Sequence, residues 1–374
     1  MVDITIITEG ISNLFKIGGV STWLRDLTEG IPDINFSFID NDSSIPMNQS
    51  QNNLKSFNNI LLKDYPLSFN QIEQILKDHE FEETKIYHAT STGCASLCAI
   101  HLSKIKEKPF ILTEHAIYWK ESQETNELES GVEAGKNITN KLRVIAKDAY
   151  KEAEIVISPT EFTRNIQISE GANSNKCKVI NNGVDPERFK FNYRFPIKRI
   201  GFAGRITRIK NIERIINIWK LISSKNPELK FFIIGPIDDL GYYNHLHDLI
   251  NSLNFVSKVE FINTLDRENW VNKIDLLFLA SKMETQPYVI LESFASGILT
   301  FVPNIGGLPE TVKDAGLIYD YQIRDEEIAD QLLNLISKED LYKGKVFKGR
   351  ELAEETYNIK RMLNEYENIY NNFL

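Results

Sequence analysis

The chain has 374 residues, 42% of them hydrophobic and 25% charged, with a formal net charge of −9. That composition belongs to a soluble globular protein and not to a disordered or fibrous one. The acidic balance excludes a general nucleic-acid binder, which needs a basic face, and the length predicts two domains of roughly 150 to 200 residues each.

The opening MVDITIITEG lacks a basic leader followed by a long apolar run, and no later segment offers about eighteen uninterrupted apolar residues. A cytoplasmic protein with no transmembrane segment is the expectation. Short β-branched runs then alternate with stretches of helical period, the pattern of βαβ units and parallel sheets. In the first half the strands are read at DITIIT, NFSFID, NNILL, KIYHA, PFILTEH and EIVISP, with helices near 19–30, 69–79, 92–106, 137–152 and 160–170. The polar stretch NDSSIPMNQSQNN reads as a surface loop. Cys94, Cys98 and Cys177 are too few and too scattered for a disulfide framework and read as reduced core thiols.

An Asn-, Gly- and Pro-rich stretch, KVINNGVDPERFKFNYRFPIKR, marks an interdomain linker. Beyond it the strands are read at KRIGFAG, KFFIIG, KVEFIN, DLLFLA, LTFVP and GLIYD. The last thirty residues read as a helix with Leu352, Tyr357, Ile359, Met362, Leu363, Tyr366, Ile369 and Tyr370 on its apolar face. The domains expected are 1–185, 186–350 and a C-terminal helix, 351–374, crossing back toward the first.

Several constellations could carry chemistry. Gly18 and Gly19 open the first helix, where free backbone amides suit anionic phosphate oxygens, although a plain tight turn fits the same pair. Gly204 and Arg205 end a strand, with Lys210 at the start of the next helix, so both cations can project at the carboxyl edge of a parallel sheet. The stretch ETQPYVILE follows another strand. Pro287 suits the first turn of a helix that closes at Gly297, which leaves Glu284 in the loop and puts Glu292 a turn inside, among apolar neighbours.

Taken together and in this order, the Gly-Gly loop, NNGVD, the GR…K pair and E-x7-E resemble a family 4 retaining glycosyltransferase of the GT-B fold, over almost the whole chain. More narrowly, GGVSTWLRDLTEGIPD, YHATSTGCASLCAI and PFILTEHAIYWKE are similar to PelF-type polysaccharide glycosyltransferases, which are associated with UDP-glucose. The resemblance implies an α/β architecture of two Rossmann-like domains with parallel sheets facing across a cleft, the first on the acceptor side and the second on the nucleotide-sugar side. Arg205 and Lys210 are then implied to meet the charge of the departing diphosphate, with help from the Gly18 and Gly19 amides and the helix starting near Pro287. Glu292 would accept the two ribose hydroxyls, and Glu284 would orient the donor sugar. His115 would reach the same sugar, His88 is a lesser candidate one strand earlier, and Gly204, Thr285 and Gln286 would line the donor site.

Two departures from the family pattern stand out. Gln286 and Pro287 replace an aromatic and a glycine, and proline offers no amide. Ile298, Leu299 and Thr300 replace the usual apolar run after Gly297.

The resemblance implies no cofactor and no metal. DND at 40–42 reads as a surface turn, and the histidines of HLH at 245–247 would point to different faces of a helix. The partners implied are a UDP-sugar donor and a saccharide or other acceptor, with transient docking on a membrane or polysaccharide machinery compatible. The loop WKESQETNELESGVEAGKN is expected at the acceptor site. Two other readings fit the same residues: a UDP-sugar 2-epimerase-like enzyme, and a non-catalytic nucleotide-sugar-binding subunit.

Overall fold

The structure, a computed structural model, describes residues 2–8, 18–40, 54–59, 68–77, 79–129, 132–253, 259–263 and 266–374. The chain divides into two compact units, Met1–Asn181 with Met362–Leu374, and Asn182–Arg361. Each is built on one parallel sheet.

In the first unit the strands are β1 (Val2–Ile7), β2 (Phe36–Asp40), β3 (Leu54–Asn59), β4 (Thr84–Ala89), β5 (Phe110–Thr113), β6 (Ile155–Ser158) and β7 (Cys177–Val179). The helices between them are α1 (Gly19–Gly30), α2 (Phe69–Leu76), α3 (Cys94–Lys106), α4 (Tyr118–Glu129), α5 (Val132–Glu152) and α6 (Glu161–Ser169). The strand order is β3-β2-β1-β4-β5-β6-β7, and every pairing is parallel. Ile4, Ile6, Ile86, Ile111, Leu112, Val156 and Ile157 are buried, as expected when helices cover both faces of a sheet.

The second unit repeats the plan with β8 (Arg199–Ala203), β9 (Lys230–Ile234), β10 (Val259–Ile262), β11 (Leu276–Phe278), β12 (Leu299–Pro303) and β13 (Leu317–Tyr319). They are ordered β10-β9-β8-β11-β12-β13 and are again parallel throughout. Its helices are α7 (Ile212–Lys225), α8 (Leu240–Ser252), α9 (Arg267–Trp270), α10 (Tyr288–Ser296), α11 (Leu308–Val312), α12 (Asp325–Ile336) and α13 (Glu339–Glu355), followed by α14 (Ile359–Asn371). The order of both sheets reverses at one place, between β1 and β4 and between β8 and β11. Outside the carboxyl ends of those strands the connections part to opposite sides and leave a crevice.

Three expectations from sequence are corrected. The strand read at NNILL lies earlier, at Leu54–Asn59, and its last three residues fall outside the described residues, as does the whole 41–53 loop. The stretch 119–137, read as a loop, is largely helical: α4 and the start of α5 occupy it, because its Glu, Gln, Lys and Ala are good helix formers even without an amphipathic period.

The C-terminal thirty residues form two helices and not one. The chain breaks at Thr356–Asn358, where Val184 N donates to Tyr357 O at 2.8 Å and Ile359 N donates to Val184 O at 3.0 Å. Asn358 Oδ1 accepts from Lys360 N at 2.9 Å, capping the new helix start. The apolar face is divided accordingly. Leu352 and Tyr357 pack in the second unit's core, while Met362, Tyr366, Ile369 and Tyr370 are buried in the first.

In the first unit Tyr370 Oη and His88 Nδ1 share a hydrogen bond at 2.8 Å, and His88 Nε2 and Thr113 Oγ1 share another at 2.8 Å. Burial pushes the imidazole down to about 3, so it is held neutral. Tyr370→Phe should therefore lower the unfolding free energy of the first unit by about 1 to 2 kcal/mol, since it strands a buried ring nitrogen. Urea denaturation against the exposed control Asn368→Ala would measure this, and equal midpoints would sink it.

Candidate functional site

The crevice in the second sheet is lined by the loops after β8 and β11. Strand β8 ends in Gly204, whose φ of +147° favours glycine, and Gly235 after β9 has φ +146°. A Cβ on Gly235 would run into the Gly204 carbonyl oxygen, so the two loops cross where the second backbone has no room for a side chain. Ile206 N donates to Pro236 O at 2.9 Å and Asp239 N to Ile206 O at 3.2 Å, which fixes one loop on the other.

Arg205 projects from this crossing, half exposed, with Nη1 donating to Asp238 Oδ2 at 2.7 Å. Lys210 does not begin the following helix. It closes a short 3₁₀ turn, Arg208–Lys210, and Asn211 at φ +51° separates that turn from α7.

Lys210 Nζ donates to Glu284 Oε1 at 2.6 Å, and both side chains are mostly covered. Ser281 Oγ donates to the same oxygen at 2.8 Å. The backbone around the pair is equally held. Lys282 N donates to Ile209 O at 2.8 Å, and Gly307 N donates to Glu284 O at 3.0 Å. Gly306, at φ +55°, lies so close to the Glu284 carbonyl that any Cβ would collide with it. The loops after β8 and β11, whose charged ends lie 74 residues apart in sequence, thus meet through one ion pair and one backbone hydrogen bond.

Helix α10 follows, capped by Pro287 and closed by Gly297 at φ +76°. Glu292 is 2% exposed, and its Oε2 accepts from Trp270 Nε1 at 2.9 Å. Gln286 is buried, and it is tied to Asn182: its Oε1 accepts from Asn182 N at 2.6 Å and its carbonyl from Asn182 Nδ2 at 2.9 Å. Its amide oxygen thus holds the chain just past the boundary between units, a structural task that the sequence did not suggest. Thr285 is buried beside it.

The first unit carries the remaining candidates. Gly18 is the N-cap of α1, with extended backbone at φ −171°, and the helix has no acidic residue in its first turn. Among the described residues a Cβ on Gly18 would meet nothing nearer than Ser21 Oγ at 3.9 Å, and its backbone is extended, a conformation any residue adopts. Gly19 is exposed. His115 follows β5, 9% exposed, with its ring edge-on to Trp23 at 4.7 Å between centroids. Burial lowers its pKa to about 3 and keeps it neutral. His88, the lesser candidate, has both ring nitrogens engaged by Tyr370 and Thr113 and is a packing residue.

Next to His115, Glu114 is fully buried, with no cation beside it among the described residues. It accepts from Thr92 Oγ1 at 2.9 Å, Tyr150 Oη at 2.8 Å and Gln167 Nε2 at 3.0 Å. These neutral donors come from three different segments, and desolvation outweighs them, raising the carboxyl to about 7.

Ser281, Trp270, Asn182, Asp238 and Glu114 were all missed in the sequence. Ser281 alone had a local signal, three residues before Glu284. The partners of the others are set by the fold.

Among the described residues no group of His, Cys, Asp and Glu is arranged to hold a metal ion. His245 Nε2 lies 3.2 Å from Glu213 Oε2 while His247 stacks on Phe261. Among the described residues no helix is long and apolar enough to cross a membrane.

Residues 185–351 match the family model described as Glycosyl transferases group 1, and residues 55–175 match a domain of unknown function, DUF3492. N-acetyl-alpha-D-glucosaminyl L-malate synthase from Bacillus anthracis is 24% identical over 44% of this chain and 42% of its own length. The capsular polysaccharide biosynthesis glycosyltransferase CapM from Staphylococcus aureus is 24% identical over 63% of this chain and 60% of its own. The chain thus spans about half the length of these relatives. Among solved structures, sucrose-phosphate synthase from Thermosynechococcus elongatus aligns over 100% of this chain and 99% of its own at a TM-score of 0.84 and 15% identity. HepE from Anabaena, solved with UDP and glucose, aligns over 99% of both chains at 0.76 and 17%. The fold is α/β of the GT-B class, with two Rossmann-like units.

Lys210→Met should destabilise the second unit by about 2 to 4 kcal/mol, because it leaves the largely covered Glu284 carboxylate without its cation. Lys210→Met/Glu284→Met should recover most of that loss in urea denaturation, and an additive double variant would refute the coupling.

Glu114 supplies a pH test. Its folded pKa of about 7 exceeds the 4.5 of an open chain, so the folded form binds the proton more tightly. Its contribution to stability is present below about 4.5, declines as pH rises to about 7 and is gone above. The wild type should lose on the order of 2 to 3 kcal/mol relative to Glu114→Gln across that window. Parallel stability curves for the two proteins would contradict it.

Proposed function

We propose that the protein is a retaining, metal-independent glycosyltransferase of the cytoplasm that transfers a hexose from a nucleotide sugar, with UDP-glucose favoured, to a saccharide or other acceptor in polysaccharide or glycoconjugate synthesis. The observation that carries this reading is the Lys210–Glu284 pair at the switch point of the second sheet, with Arg205 on one side and Glu292 one turn into the adjoining helix. All four lie inside the stretch that matches the group 1 glycosyl transferase model. The likeness in fold to a protein solved with UDP-glucose supports the choice of donor, and the narrower kinship with PelF-type enzymes belongs to the same proposal.

Cleavage of a sugar–phosphate bond leaves charge on the departing diphosphate, and fixed positive groups lower that barrier most. Arg205, half exposed at the crevice, is the cation with reach. The amino end of α10 adds the partial positive charge of its dipole. Lys210, the second cation for the diphosphate, is also paired with Glu284. It fixes Oε1 together with Ser281, so that Oε2 is the acceptor offered to a sugar hydroxyl.

Glu292 contributes ribose recognition with Trp270 orienting its carboxylate. Gln286, whose oxygen holds Asn182, contributes to the donor loop through its shape. In the first unit, His115 and the Gly18–Gly19 amides are the groups suited to sugar hydroxyls and phosphate oxygens, and the surface that includes α4 to an acceptor.

Calorimetric titration of UDP into wild type, Arg205→Ala and Glu292→Gln tests this, with UDP-glucose hydrolysis followed in parallel. The glutamine keeps an acceptor for Trp270. Each variant should weaken UDP by about ten- to a hundredfold, and the wild type should hydrolyse UDP-glucose slowly. A wild type that binds no UDP, or variants that bind it as tightly as wild type, would falsify the assignment.

A further inference from the structure

Three cations stand along the loop after β8, and each already has a carboxylate. Arg205 Nη1 lies 2.7 Å from Asp238 Oδ2, Arg208 Nε 3.3 Å from Asp239 Oδ2, and Lys210 Nζ 2.6 Å from Glu284 Oε1. The row is thus close to neutral. A diphosphate brought to it meets acidic groups as well as basic ones and gains less than three bare cations would give.

The three carboxylates are not equivalent. Glu284 is mostly covered and also accepts from Ser281. Asp239 caps α8, with Oδ1 accepting from Tyr242 N at 2.7 Å. Asp238 caps no helix; its side chain is 35% exposed, and its bond is to Arg205. The backbone beneath it is fixed by the Ile206–Pro236 and Asp239–Ile206 hydrogen bonds, so parting Arg205 from Asp238 requires only side-chain rotation. An exposed ion pair of this kind is weak enough to be exchanged for a better anion.

We propose that Asp238 is an internal substitute for the donor's diphosphate: it occupies the Arg205 guanidinium in the free protein, gives it up when a nucleoside diphosphate binds, and so sets how tightly that ligand is held. This rests on the reading of Arg205 as a diphosphate-binding cation. It also makes Asp238 a determinant of product release, since UDP leaving the site has an anion waiting to replace it.

Titration of UDP and of uridine into wild type, Asp238→Asn, Arg205→Ala and the double variant tests the exchange, with thermal denaturation confirming that each is folded. Asp238→Asn should bind UDP about three- to fivefold tighter than wild type, with uridine unchanged. In the Arg205→Ala background the same substitution should change UDP affinity little. Weaker or equal UDP binding by Asp238→Asn overturns the proposal and makes Asp238 a residue that orients Arg205. Equal tightening in both backgrounds also overturns it, in favour of general charge repulsion. If Arg205→Ala binds UDP like wild type, the nucleotide reading of the site fails, and the exchange with it.

Discussion

A carboxylate taken out of water must be paired or hydrogen-bonded, and the second unit is arranged around that requirement at Glu284. Lys210 and Ser281 converge on one of its oxygens, Gly307 binds its carbonyl, and Gly306 has no side chain because that carbonyl fills the space. Lys210 ties the loop after β8 to this residue, Gly306 and Gly307 the loop after β12, and Ser281 its own loop. The carboxyl edge of the sheet is therefore a preformed surface in which loops after β8, β11 and β12 share one anchor.

The first unit solves the same problem in the opposite way. Glu114 is buried among hydroxyl and amide donors with no cation among the described residues, and its affinity for a proton rises accordingly. A paired carboxylate stays charged and can organise charged neighbours. An unpaired one sits near its protonation point at neutral pH and costs stability above it. Glu114 joins the loop before α3, α5 and α6 to the end of β5, where His115 stands. The neutral histidine leans on Trp23, whose ring is also met by His88 and Tyr366.

Neutralised cations are the recurring electrostatic theme of the second unit's crevice. Arg205 and Lys210 resemble an anion trap in the sequence, yet they and Arg208 each sit beside a carboxylate in the structure. Their usefulness depends on which carboxylate can leave. Glu284 and Asp239 have other bonds to keep, and Asp238 has the guanidinium.

Hydrophobic period and glycine position made the parallel-sheet architecture legible from the sequence. DITIIT, KIYHA, LTFVP and their counterparts form strands close to where they were read, because a β-branched run between turn residues has few other uses. The loop positions of Arg205 and Glu284 and the helical one of Glu292 follow from the same local rules, as does the close of α10 at Gly297. Local rules failed where a segment's fate depends on distant partners. The stretch 119–137 looked like a loop because its polarity masks its helix propensity, and the break at Thr356–Asn358 is made by Val184, far away in sequence. The sequence by itself determined the α/β order of elements and which side chains stand at the ends of strands. Only the tertiary structure decided that Lys210 neutralises Glu284, that Gln286 holds Asn182 and that Trp270 holds Glu292, because a side chain's partner is chosen by where packed elements bring it and not by its neighbours in the chain.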